Sequence, residues 1–321
     1  MEVMRLKPVG KDYLWGGTRL REEYGKDIDL TPLAETWECS THPDGPSTVA
    51  NGVCRGRLLS DVLAEHPEYI GTKTSDGRLP VLAKFIDARQ DLSVQVHPDD
   101  AYARAHEGDN GKTEMWYVVD ALPGATLIHG FRHPVTADIL RQAIETGTLE
   151  RHLRRVPVHR GDVFFVPAGT VHGIGAGTLI AEIQESSNVT YRVYDYDRVD
   201  KDGRHRQLHF DQAMAVMNCG AQTERLHYPR LVRYYAGCSR ERLCRCRYFD
   251  VERIRSTRGF TFSVLDASFQ IIMILNGEGR IETMDTEQKP IRFRRGDTLF
   301  FPAAIGRCVL LGDAELLKIR C

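Results

Sequence analysis

Apolar residues along this chain come in short runs. PVLAKFID (80–87), LSVQVH (92–97), MWYVVDA (115–121), TLIAEIQ (178–184) and FQIIMIL (269–275) are rich in β-branched and aromatic residues and are bounded by Gly, Pro, Asp or Asn. Each reads as a strand ended by a turn. Helical spacing is confined to three places. In residues 134–155, Ile139, Leu140, Ala143 and Ile144 recur at helical intervals behind Thr136 as N-cap, with a break near Gly147. A shorter helix is expected from Asp99–Asp100 through AYARAHEG, and another in DQAMAVMN (211–218). Strands separated by turns rather than by regular helices predict an all-β sandwich or barrel, not an α/β sheet.

The pattern also repeats. HRGDVFFVPAGTVHGI (159–174) and RRGDTLFFPAAIGRCV (294–309) align without a gap when Arg160 is set over Arg295, and His172 then falls opposite Arg307. Upstream, MWYVVDALPGATLI corresponds to IIMILNGEGRIETM, which sets Glu114 against Gln270. Glu114 to His172 spans 58 positions and Gln270 to Arg307 spans 37, and the excess of 21 falls on the helical residues near 134–155. One fold written twice, with a helical insertion in the first copy, predicts domains of residues 1–222 and 223–321.

Charge and cysteine content narrow the class. The 321 residues carry 43 Lys+Arg against 44 Asp+Glu, so nothing favours a nucleic-acid or membrane surface as partner. MEVMRLKPVGKDYLWGG has no apolar signal-like core, and the longest apolar stretches, such as IIMIL, are too short to cross a bilayer. The eight cysteines show no Cys-x-x-Cys spacing; only Cys244 and Cys246 lie close, on one face of a strand. Reduced thiols in a soluble cytoplasmic protein, with no obligatory protein partner, are the expectation.

Three phrases carry candidate chemistry. In LSVQVHPDD, alternation puts Gln95 and His97 on one face, and the following Pro ends the strand pairing. In KTEMWYVVD, Lys112, Glu114 and Trp116 share a face, and in VPAGTVHGI a Pro-Ala-Gly turn delivers His172. Two imidazoles and a carboxylate, with a side-chain amide nearby, suit a divalent metal of borderline hardness, zinc first, with manganese, iron and cobalt as alternatives. Three strong ligands leave a position open for water or substrate, as catalytic metals require. Each residue alone reads as an ordinary polar side chain. The duplication raises the metal reading, because the second copy has Gln270 and Arg307 in these places. In SSNVTYRVYDYDR (186–198), strand alternation puts Arg192, Tyr194, Tyr196 and Arg198 on one face. They form either a cross-strand ladder or a guanidinium clamp for an anion or a developing oxyanion.

QVHPDD, GKTEMWYVV, VPAGTVHGI and NVTYRVYDYDR, in this order, resemble the class I mannose-6-phosphate isomerases in their short bacterial form. YLWGGTRL (13–20) and AETWECSTHPDGPSTVANG (34–52) match the same family's opening phrases. The resemblance is strong through residue 210 and thins to the RGD-x-x-F repeat beyond it. It implies a tandem cupin, a double β jelly roll, with one zinc ion per chain. It also implies an intramolecular oxidoreductase that interconverts mannose 6-phosphate and fructose 6-phosphate through an enediol or enediolate. Carried over by motif, the ligands fall on His97, Glu114 and His172, with Gln95 where longer members have a fourth. The catalytic arginine falls on Arg192, and Lys84 and Lys112 occupy positions around the substrate. The large helical domain of longer members has no counterpart. Moving a proton between C2 and C1 requires an acid/base group, for which Lys112, Glu114 and a metal-bound water are candidates. Arg192 is the candidate to stabilise the enediolate, and Lys84 or Arg198 to meet the phosphate. The rivals are a bicupin iron dioxygenase, a sugar-binding descendant without turnover, and a structural bicupin of the storage-protein kind.

Overall fold

The computed structural model describes residues 1–321 except 75–76, 201 and 223–229. The join expected near residue 222 therefore borders a segment outside the described residues. Strands form at Val81–Ala88, Val94–Val96, Glu114–Ala121, Thr178–Glu185 and Gln270–Thr283, within or around each apolar run. Helix Ala137–Glu145 starts behind Thr136, whose hydroxyl accepts from the Ile139 N–H. The chain leaves that helix at Gly147, in the left-handed region at φ +65°. Asp99 caps Asp100–His106 by accepting from the Tyr102 N–H at 2.9 Å, and Phe210–Val216 is the third helix expected.

The first half is a sandwich of two antiparallel sheets. One runs in the order Val163–Val166, Glu114–Ala121, Thr178–Glu185, Val81–Ala88, Glu35–Cys39 and Val9–Lys11. The other runs Tyr191–Tyr194, Val94–Val96, His172–Ile174, Thr126–Phe131 and Leu153–Pro157. Between them lie Trp15, Trp116, Val118, Phe164 and Ile180. The opposite face of the six-stranded sheet is also covered. Phe85, Met115, Tyr117 and Ile183 pack there with Phe249, Phe269, Ile271, Met273 and Leu317 of the second half. Burial on both faces explains why VLAKFIDA and TLIAEIQE are buried at every position.

The second half is built on one ten-stranded sheet. Its longest members, Gln270–Thr283 and Gly306–Arg320, pair with each other and shift register between Ile274 and Asn276. The repeat survives as register. Val166 pairs with Glu114 as Phe301 pairs with Gln270, the same correspondence the aligned phrases give. The RGD turn is likewise built twice. Gly161 and Gly296 have φ +93° and +86°, where a side chain is disfavoured. Asp162 accepts from the His159 N–H at 2.8 Å, and Asp297 accepts from the Arg294 N–H at 2.9 Å. The sheets also cross the expected domain limit, because Met4–Lys7 pairs with Thr298–Phe301 and carries Thr48–Val49 beside it.

Candidate metal centre

His97 follows strand Val94–Val96, His172 opens strand His172–Ile174 and Glu114 opens its own, and antiparallel pairing sets Gln95 opposite His172. The donor atoms of His97, Glu114 and His172 all lie within 4.8 Å of one another. None of the three side chains is more than 1 % exposed. The Nδ1 of His97 donates to the Val189 carbonyl and that of His172 to the Thr170 carbonyl, each at 2.8 Å. Those bonds fix the tautomer and aim an unprotonated Nε2 inward on both rings. The two Nε2 atoms stand 3.1 Å apart, 3.6 and 3.3 Å from the Glu114 carboxylate. Both Glu114 oxygens are buried without a hydrogen bond, with the Lys112 ammonium 3.0 Å from Oε2.

Burial holds His172 down to about 3 and His97 well below the usual histidine range, so both rings are neutral. Burial, with Glu182 nearby, pushes Glu114 up to about 7. Lys112 serves His97 Nε2 and Glu114 Oε2, which leaves Glu114 Oε1 buried without a partner, 3.3 Å from His172 Nε2. A divalent cation accepts all three, and a borderline N,N,O donor set fits zinc and its neighbours. The Gln95 amide lies 3.4 Å from His172 Nε2, at the rim of the same cluster.

Above the cluster opens a cavity of about 270 Å³ whose lining includes Gln95, Lys112, Arg192 and Arg206. Lys112 sits just before its strand, where its N–H donates to the Pro98 carbonyl at 3.0 Å. Its ammonium stands 3.0 Å from His97 Nε2. Arg192 donates to the Gln207 carbonyl at 2.8 Å, while its Nε is buried without a hydrogen bond. Burial and the neighbouring Arg206 lower its pKa. Lys84 also lines the cavity but lies between two carboxylates, 3.6 Å from Glu35 and 3.4 Å from Glu182. Burial alone would lower this lysine; the two glutamates outweigh it and hold it raised.

One expectation fails on geometry. Strand Tyr191–Tyr194 stops before the charged tail of its phrase, and Tyr196 and Asp197 are left-handed at φ 55° and 52°. The alternation expected to bring Arg198 beside Arg192 is broken there. Arg198 turns to the Asp195 carboxylate and the Asp91 carbonyl, each at 2.5 Å, and does not line the cavity. Arg206 lines it instead, held by Asp195 at 2.7 Å from its Nε. It lies in the connection HRQLH, where no periodicity marks it. Glu182 was also passed over, although a lone acid within TLIAEIQ was the signal for it. It pairs in register with Lys84 and Trp116 and accepts from the Trp116 indole N–H at 2.9 Å.

Comparison with known proteins places this geometry. Residues 3–132 match the family model described as phosphomannose isomerase type I, catalytic domain. The chain is 41 % identical over 304 residues to a mannose-6-phosphate isomerase of Streptococcus mutans, covering 95 % of this chain and 93 % of that one. It is 38 % identical over 319 residues to the mannose-6-phosphate isomerase ManA of Bacillus subtilis, covering 98 % of each. Among solved structures, the mannose 6-phosphate isomerase from Bacillus subtilis superposes with TM-score 0.90 at 34 % identity over 99 % of both chains. The apo mannose 6-phosphate isomerase from Salmonella typhimurium, at 16 % identity and TM-score 0.75 over 99 % of both chains, shares the fold.

Proposed function

The chain belongs to the type I phosphomannose isomerase family and has the activity of a mannose-6-phosphate isomerase, and on that premise we propose how its residues divide the work. His97, Glu114 and His172 hold one divalent cation, zinc, with Gln95 at the fourth position. The first half, residues 1–222, carries the chemistry, and the second, 223–321, carries no metal. The substrate is a small sugar phosphate, and the reading puts the enzyme in the cytoplasm, where its eight cysteines stay free. Among the described residues no helix is long and apolar enough to cross a membrane.

Interconversion moves a proton between C2 and C1 of the sugar and passes through an enediol or enediolate. When bound, the cation supplies Lewis-acid polarisation of the sugar oxygens, which lowers the cost of the negative charge that develops. Lys112 is the proton carrier, since its ammonium borders the cavity beside Glu114 and His97. Arg192 faces the same space with a fixed positive charge and stabilises the enediolate oxygen. Arg206 joins Arg192 as a second guanidinium there, which suits it to the phosphate dianion. Lys84, between Glu35 and Glu182, lines the same cavity and borders the sugar.

The observation that carries this reading is the convergence of His97, Glu114 and His172 beside a cavity whose lining includes Lys112, Arg192 and Arg206. The test is fructose 6-phosphate formation from mannose 6-phosphate on chelator-stripped protein, before and after adding zinc. Restored activity is expected. A folded protein that stays inactive with zinc, manganese and iron overturns the assignment.

A further inference from the structure

Strand Cys238–Arg245 returns as Asp250–Ser256 through a turn at residues 246–249. The Cys246 N–H donates to the Phe249 carbonyl at 2.9 Å, and the Tyr248 N–H donates to the Cys246 sulfur at 3.4 Å. The thiol thus does what an Asp or Asn side chain does in an Asx turn. Two residues back, Cys244 follows a register shift in the strand and packs beside Cys246 against the same apolar cluster. Both thiols are free and half-buried, packed at the edge of an apolar cluster that includes Phe249, Val251 and Ile319. The proposed catalytic reading uses neither.

We propose that Cys244 and Cys246 form a dithiol switch that exchanges with low-molecular-weight disulfides, Cys246 attacking and Cys244 resolving. The Cys246 thiolate attacks one sulfur of the small disulfide, the S–S bond breaks, and one small thiolate leaves. Cys244 then loses its proton to solvent and attacks the Cys246 sulfur, displacing the second small thiolate. Two protein thiols are oxidised by two electrons, and one disulfide is reduced to two thiols.

The roles follow from the environment. The Cys244 thiol beside it, then the Tyr248 N–H that bonds its sulfur at 3.4 Å, bring Cys246 down to about 7 against burial. The neighbouring Cys246 thiol, with burial, raises Cys244. The remaining half-buried thiols lack such donors; burial raises Cys219, and pushes Cys321 up to about 12. Cys244 lies in the strand and Cys246 opens the turn, so their Cα atoms are at most the ~6.6 Å apart that two residues of extended backbone span. That is the upper end of the ~4.4–6.8 Å that disulfides span. A bond between them is thus within reach, and the partial exposure of both residues leaves it open to reduction by small thiols.

The full chain is incubated with oxidised glutathione near pH 7.5, the remaining thiols are alkylated, and tryptic peptides are mapped by mass spectrometry. Arg245 lies between the two cysteines, so cleavage there leaves two peptides joined only by the new bond. A Cys244–Cys246 link is expected; Cys244→Ser should stop at a glutathione adduct on Cys246, and Cys246→Ser should lose both products. Without any substitution, Cys246 should alkylate about ten-fold or more faster than Cys219 at this pH. Equal labelling of the two, or a link from Cys246 to Cys54 or Cys321 instead, overturns the proposal.

Discussion

The two halves share a backbone plan and differ in what they put inside it. In the first, the inward positions include Lys84, Gln95, His97, Lys112, Glu114, His172 and Glu182, all at or around the cavity and the donor cluster. In the second, Phe262 meets Phe301 edge to face at 5.4 Å, within a cluster that includes Ile272, Ile274, Leu299 and Ile305. Position for position, Trp116 becomes Ile272 and Phe164 becomes Leu299. Gln270, which stands where Glu114 does, donates to the Ser263 carbonyl at 3.0 Å, and Arg307, which stands for His172, is exposed. The paired strands and the RGD turn hold either content equally well. The jelly roll is thus a container, and chemistry depends on whether its inner positions are filled with donors or with hydrocarbon.

Converting the first interior toward the second should have the largest effect. Glu114→Gln with His172→Arg copies the second half's residues. It should remove metal-dependent turnover by about a thousand-fold or more, the loss of several kcal/mol of transition-state stabilisation. A coupled assay with metal analysis on the folded variant checks it; activity within ten-fold of wild type would separate the cluster from catalysis. The converse damage belongs to the second half. Phe301→Ala leaves a cavity among aromatic side chains and should cost about 3–5 kcal/mol in denaturant unfolding, with kcat/KM of the folded fraction unchanged.

A smaller effect tests the anion-facing wall. Arg192→Ala should lower kcat by about 100- to 1000-fold, the range for removing one preorganised donor to a developing oxyanion. Near wild-type kcat with mannose 6-phosphate would sink that role. The smallest effect contrasts a charge kept for structure with charges kept for chemistry. Burial raises Glu252, but Lys318 at 2.8 Å and Arg240 at 2.6 Å outweigh it and hold it down at about 2. A depressed carboxylate stabilises the fold above its unfolded pKa, near 4.5, and that contribution disappears as pH falls through about 2. Wild type should therefore gain about 2 kcal/mol more than Glu252→Gln between pH 2 and pH 6, measured by urea unfolding.

Much of this was readable in the chain. The strand runs, the Thr136 and Asp99 caps and the donor set were all local signals of period or spacing. The repeat went further, because positions the two phrases set in correspondence keep the same cross-strand partners, Val166 with Glu114 and Phe301 with Gln270. Arg198 was misread because period-2 reasoning assumes extended backbone, and two left-handed residues at Tyr196 and Asp197 re-aim everything after them. Arg206 lies in a connection without a pattern, and its role depends on Asp195, met only in three dimensions. The balancing of Lys84 by Glu35 and Glu182 likewise depends on which strands become neighbours. The local pattern of MRLK gave no hint that it pairs with the second half rather than the first.

That last pairing bears on how the molecule is made. Met4 pairs with Phe300, so this strand waits for a partner synthesised far later along the chain. Until Thr298–Phe301 has left the ribosome, Met4–Lys7 has only Thr48–Val49 to pair with, and the apolar outer face of the six-stranded sheet lies open to water. A contact so distant in sequence carries a large loop-closure cost and forms slowly. The nascent chain therefore passes through a stage in which the site-bearing half is translated while its apolar back is uncovered. In that stage exposed apolar surface invites association with other chains, and the second half ends it by covering that face.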